Sequence, residues 1–303
     1  MPKPLPKEFL LSRGSCCKNG CKNCPYGFNK NKNMTDKVDV IIQVYGKPYQ
    51  TICTLKSLIK HSGKWIDKIY FLEEFEHPFG DKVKWVVDKF DNIIHHKYDK
   101  KVNIYGIKSK DVPLENIRHQ FGIENSDKKY VFVTHNDVLY TEDIIGNMLE
   151  NIGDNVGIGE IGQCWNCPAK AKGLCSGETF YDYNPTYEEV IALGLPHIRT
   201  RIDNVSKLHP KPLPECRLNE WACLIDREAC IKEGRPFFGE FDDDSGTEWF
   251  KAMHFKGYKF KDYRKDFIHM YWANTGGHQV EQHKDLYRTS EEVAKKYYEL
   301  NFK

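Results

Sequence analysis

The residues most suited to chemistry stand in one stretch, 116–140: Asn-Ile-Arg118-His-Gln-Phe-Gly122-Ile, then Tyr130-Val-Phe-Val-Thr-His135-Asn136-Asp137-Val-Leu-Tyr140. Helical spacing around Arg118 gives way to a β-branched apolar run, which predicts a buried strand ending in His135, Asn136 and Asp137. A guanidinium presents planar donors to phosphate oxygens. An imidazole and a carboxylate at a strand end can hold a divalent cation. Together these residues form a layout for holding a diphosphate. The plainer readings are a turn-capping Asp137 and an exposed helical charge at Arg118.

Two further groups carry chemical potential. The acids Glu240, Asp242, Asp243, Asp244 and Glu248 supply carboxylates of the kind that act as general bases, or else form a solvated loop that starts a helix. The cysteines cluster as Cys16, Cys17, Cys21 and Cys24, and again as Cys164, Cys167, Cys175 and Cys216; both clusters contain Cys-x-Asn-Cys-Pro. Residues 1–33 are too few to build a core without a staple. Spacings of this kind suit tetrahedral Zn²⁺ bound by thiolates. Buried inert thiols are the alternative for the second cluster, and a single metal shared between the two clusters is another.

These groups need a scaffold. Residues 38–45 are mostly apolar and β-branched, as in a strand covered on both faces. Gly46-Lys-Pro48 breaks that run, and Ile52, Leu55, Leu58 and Ile59 then recur at helical spacing. A second strand is predicted over 66–72, ending at Glu73 and Glu74, with short segments at 85–87 and 92–94. A helix is predicted over 110–123, before the 130–133 strand. Such alternation implies an α/β fold, a mostly parallel sheet with helices on both faces, with ligands beyond the carboxyl ends of its strands. Residues 29–33 read as a polar linker between a Cys-rich segment (1–33) and a main domain (37–278). That domain carries a Cys-containing insertion at 159–216. Residues 279–303 read as a charged helical tail with Leu286, Val293, Tyr297 and Leu300 as its apolar stripe.

Composition narrows the partners. With 45 basic and 43 acidic residues the formal charge is +2, which points to neither a nucleic-acid groove nor a polybasic membrane anchor. No apolar run approaches the ~20 residues of a transmembrane helix. The N-terminal Met-Pro-Lys-Pro-Leu-Pro lacks a signal-peptide core. The expectation is a cytoplasmic protein, in which thiolate ligands are favoured over disulfides.

The segment Val40-Ile-Ile-Gln-Val-Tyr45-Gly-Lys-Pro48, with Thr54-Leu55-Lys-Ser57-Leu58 after it, resembles the opening of inverting nucleotide-sugar glycosyltransferases of the GT-A fold, especially glycosyltransferase family 2. Arg118-His-Gln-Phe-Gly122-Ile is similar to that family's Ala-Arg-Asn-x-Gly-Ile segment. His135-Asn136-Asp137 falls where the family carries Asp-x-Asp. Gly239-Glu-Phe241-Asp242-Asp243, Thr247-Glu248 and Gly257-Tyr258-Lys resemble its later series, so four motifs agree in order.

The resemblance implies transfer of a sugar from a nucleotide-diphosphate-sugar donor, with UDP-sugars favoured, to the hydroxyl of an unknown glycan or other acceptor. It implies a donor site of Tyr45, Glu73, Glu74, Arg118, Asn136 and Asp137, although Tyr45 is as well suited to a core. Mn²⁺ or Mg²⁺ would sit on His135, Asp137 and His269, with His278 a second candidate. Histidine in place of the family's first aspartate favours Mn²⁺. Glu248 would be the base, with Asp243 and Asp244 following. The N-terminal segment resembles a small Cys-Cys-x₃-Cys-x₂-Cys-Pro-x-Gly domain of no known function, and its spacing is also similar to that of radical SAM enzymes, although no barrel-like βα series follows. A non-catalytic nucleotide or sugar binder, or a cysteine-rich interaction protein, is the alternative from another class.

Overall fold

The computed structural model describes residues 12, 37–99, 119–162, 167–194, 205–213, 216–233, 246–270 and 283–303. The chain divides into two units between Asp36 and Lys37, and all but one of the described residues belong to the second. Cys16, Cys17, Cys21, Cys24, Arg118, Cys164, Asp242, Asp243, Asp244 and His278 lie outside the described residues.

The first half of the second unit alternates strand and helix: β1 (Val38–Val44), α1 (Pro48–Ser62), β2 (Ile66–Glu73), the single turn α2 (Lys84–Val87) and β3 (Ile93–Lys97). There follow α3 (Gln120–Asn125), β4 (Tyr130–Thr134), β5 (Val138–Tyr140), α4 (Ile144–Asn151) and β6 (Gly157–Ile161). The remainder comprises α5 (Pro168–Ala171), α6 (Tyr187–Ala192), β7 (Leu218–Asp226), α7 (Arg227–Lys232), α8 (Thr247–Phe255), β8 (Phe260–Asp262), β9 (Phe267–His269) and α9 (Lys284–Asn301).

A seven-stranded sheet runs in the order β3-β2-β1-β4-β7-β6-β8. The pairs β3–β2, β2–β1, β1–β4 and β6–β8 are parallel, while β7 runs antiparallel to both β4 and β6. The α/β fold with a mostly parallel sheet is as the sequence predicts. Strand β1 lies between β2 and β4, and all seven of its residues are buried. Its alternate side chains serve opposite faces. Val40, Ile42 and Val44 pack with Ile52, Leu55 and Leu58 of α1 and Met148 of α4. Ile41 joins Val131, Val133, Ile123, Trp249 and Phe250 on the other face. Asp39, buried within this apolar run, is satisfied by the Lys68 amide (3.1 Å) and the Ser126 hydroxyl (2.7 Å).

The structure completes or alters the sequence reading at four places. The helix predicted over 110–123 is described only from Gln120, and it continues to Asn125, where Ser126 leaves the helix to bond Asp39. Residues 85–87 form a helical turn, and the 92–94 segment is strand β3. In α9 the apolar stripe docks through Tyr297, which packs beside Cys53, Leu139 and Met270, while Leu286, Val293 and Leu300 are 47%, 38% and 85% exposed. The face that docks carries Tyr287, Ser290, Glu291 and Ala294. Polar bonding to the start of α1 sets this choice. Glu291 accepts from the Tyr49 (2.8 Å) and Gln50 (3.2 Å) amides, donors that a helix N-terminus otherwise leaves without partners.

Candidate functional site

The site lies where β4 ends. Thr54 and Ser57 of α1 turn their hydroxyls to the β5 amides of Val138 and Tyr140, each at 3.1 Å, and so fix one edge of β5. Its other edge pairs with β9, with Val138 opposite His269. The Met270 amide donates to the Asp137 carbonyl at 2.7 Å. A histidine 132 positions along the chain from Asp137 is thereby brought beside it.

Asp137 is buried and its two carboxylate oxygens face different groups. Oδ2 accepts from Lys47 Nζ at 2.7 Å, a pair whose side chains are 9% and 7% exposed. Oδ1 lies 3.3 Å from His269 Nε2 and 3.8 Å from His135 Nδ1, yet accepts no hydrogen bond of good geometry. Burial alone would raise the Asp137 pKa. The Lys47 ammonium, followed by His269 and His135, outweighs it and holds the carboxyl well below its ordinary value.

His135 is anchored from behind. Its amide donates to the Trp221 carbonyl, extending the β4–β7 ladder, and its Nε2 lies 3.1 Å from Glu220 Oε1. Burial tends to raise the Glu220 pKa, but the bond and charge of His135, with Arg217 and His119, bring it down to about 2. In the tautomer whose Nε2–H donates to the ionised Glu220, the Nδ1 lone pair faces Asp137. Metal-bound histidines commonly have such a carboxylate partner, which fixes the tautomer.

The donor set fits a divalent ion. His135, Asp137 and His269 each offer one ligand atom, and these atoms lie within 4.8 Å of one another. Two ligands ~2.1 Å from an ion at right angles stand about 3 Å apart. The bare Oδ1 between two imidazoles matches that requirement, and two nitrogens favour Mn²⁺ over Mg²⁺.

The loop after β1 forms the opposite side. Gly46 has φ +66° and Lys47 φ 53°, ψ 51°; the left-handed region costs a non-glycine residue ~1–2 kcal/mol. Bonding from several elements holds the loop there. The Gly46 amide donates to His77 Nδ1 (2.8 Å), its carbonyl accepts from Asn136 Nδ2 (3.1 Å), the Lys47 amide donates to the Tyr287 hydroxyl (2.6 Å), and its carbonyl accepts from the Thr51 amide (2.8 Å). A Cβ on Gly46 would lie 2.5 Å from the Tyr287 oxygen.

Asn136 therefore tethers this loop, through both Gly46 and Thr51 Oγ1. Tyr45 is half-buried beside it. Glu73 already binds His77 (3.0 Å), His95 (2.6 Å) and Lys97 (2.6 Å), and Glu74 accepts from Gln43 Nε2. Glu248 stands on the first turn of α8, one-third exposed, and pairs with Lys251 at 3.2 Å. Cys167, Cys175 and Cys216 all flank one small apolar cluster that contains Ala169, Val190 and Leu213.

Sequence reasoning missed Lys47 and Glu220. The signal for Lys47 was its place in the short Gly-Lys-Pro loop that follows β1. For Glu220 it was an acid inside a mostly apolar strand, two residues from the Ala222 that pairs with Thr134.

Residues 6–30 match a family of unknown function, DUF5522. No curated protein matches the chain. Among solved structures it is similar to the mannosyltransferase PcManGT from Pyrobaculum calidifontis in complex with GDP-Man and Mn²⁺ (9% identity, TM-score 0.46, covering 77% of this chain and 56% of that one). It is similar to S. aureus TarS 1–349 (11%, 0.44, 76% and 59%). The Mn/GDP form of core-mannan synthase A from Aspergillus fumigatus is another (14%, 0.42, 81% and 77%). The chain thus spans 56% and 59% of the first two. Among the described residues no helix is long and apolar enough to cross a membrane.

Proposed function

We propose that the chain is a nucleotide-sugar glycosyltransferase of the GT-A type, acting with inversion and assisted by a divalent metal. One observation carries the reading: the bare, buried Asp137 Oδ1 faces two imidazoles at the carboxyl end of β4, with Glu220 orienting one of them. The ordered motif series supports it.

Bound on His135, Asp137 and His269, the metal would supply Lewis-acid stabilisation of a diphosphate leaving group. The protein contributes the rest. Lys47 offers a cation beside the diphosphate, Arg118 is the further phosphate ligand, and Tyr45 and Glu74 flank the nucleotide side. Glu248, with Asp243 and Asp244 close in sequence, takes the proton from the acceptor hydroxyl. Zn²⁺ on Cys164, Cys167, Cys175 and Cys216, and on Cys16, Cys17, Cys21 and Cys24, is a structural role in this reading.

The test is incubation of the full chain with UDP-, GDP- and dTDP-sugars and Mn²⁺, following nucleotide release by chromatography. Donor hydrolysis or transfer is expected with at least one donor. In Glu248→Gln, donor binding should persist while transfer falls ~10²–10⁴-fold. Absence of both binding and turnover across the panel would refute the proposal. Binding without turnover would leave a non-catalytic nucleotide binder.

A further inference from the structure

Lys47 comes from a strained loop, and its ammonium reaches the single carboxylate of the proposed metal site. We propose that Lys47 is a resident cation that makes divalent-metal binding depend on the nucleotide: it neutralises Asp137 in the free protein, and the diphosphate must arrive before the ion is held.

The proposal rests on the donor-site reading above and specifies the order in which its ligands assemble. The two oxygens of Asp137 are divided. Oδ2 holds Lys47, whereas Oδ1 remains available to an ion between His135 and His269. Lys47 therefore does not block the ion sterically. It acts through charge, because the one carboxylate among the three ligands is already paired with an ammonium. Like charges brought this close repel strongly in a buried site. A diphosphate changes the balance by adding negative oxygens that both cations can share.

The placement of Lys47 is built into the fold. Its backbone takes a left-handed conformation that most lysines avoid. The amide is held by Tyr287 of α9, the carbonyl by Thr51 of α1, and the preceding residue by His77 and Asn136. A surface lysine reaching an acid by chance would have none of this support. The fixed loop keeps the ammonium near Asp137 when nucleotide is absent.

Mn²⁺ binding to the full chain, followed by electron paramagnetic resonance or calorimetry with and without GDP or UDP, tests the order. Wild type should bind Mn²⁺ weakly alone and at least about ten-fold more tightly with the nucleotide. Lys47→Met should bind Mn²⁺ alone about ten-fold or more tightly than wild type, with Lys47→Arg remaining close to wild type. Lys47→Gln serves should the methionine variant melt early, since it keeps a donor to Asp137 without the charge. Equal Mn²⁺ affinity of wild type and the uncharged variants overturns the role of Lys47 while leaving the metal site intact. Failure of every form to bind Mn²⁺, with or without nucleotide, overturns the metal-site reading and this inference with it.

Discussion

Glu220 shows how much of the site's chemistry is carried by a residue that would touch no ligand. Its buried carboxylate lies 3.1 Å from Nε2 of His135 and favours the tautomer whose Nε2–H donates to it, with the Nδ1 lone pair toward Asp137. Replacement by glutamine keeps the shape but loses the charge that fixes the tautomer. Glu220→Gln should weaken Mn²⁺ binding in the presence of nucleotide ~10–100-fold, while far-ultraviolet circular dichroism stays unchanged. Undiminished Mn²⁺ affinity would show that His135 is not a ligand.

The loop between β1 and α1 is where element geometry and chemistry meet. Gly46 needs both its positive φ and its missing side chain, since Tyr287, Asp81 and Pro78 would stand within 2.5–3.0 Å of a Cβ. Gly46→Ala should cost about 1–3 kcal/mol in urea unfolding and lower nucleotide affinity by shifting Lys47. A variant with wild-type stability and affinity would contradict the account. Much of this scaffold was legible in the sequence: the buried runs of β1, β2 and β4 and the periodicity of α1 follow from apolar pattern alone. His135, Asp137 and His269 were identified from their types and from motif order. Lys47 and Glu220 were not, because a polar contact between residues 90 or 85 positions apart leaves no local periodicity. The docked face of α9 was legible in part: Tyr297 of the stripe packs on the domain, but Glu291 bonds α1 residues 242 and 241 positions away.

At the scale of the molecule, α9 connects the end of the chain to the site at its start. Glu291 bonds the first turn of α1, and Tyr287 holds Lys47. Burial, opposed by the Tyr49 and Gln50 donors, pushes the Glu291 carboxyl up from 4.5 to about 7. Between those values the folded chain retains a proton that the unfolded chain has lost. The associated stability is therefore complete below about pH 4.5 and is lost as pH rises through about 7, on the order of 3 kcal/mol. The urea midpoint of wild type should fall over that window more steeply than that of Glu291→Gln. Parallel pH profiles would refute the assignment.

The bond between Lys47 and Tyr287 spans 240 residues of sequence. At translation rates of ~5–20 residues per second, the loop emerges from the ribosome roughly 12–50 s before the hydroxyl that secures it. During synthesis the β1–α1 loop thus passes through an interval without its clamp, and a nascent chain should gain affinity for nucleotide only once the last helix has docked.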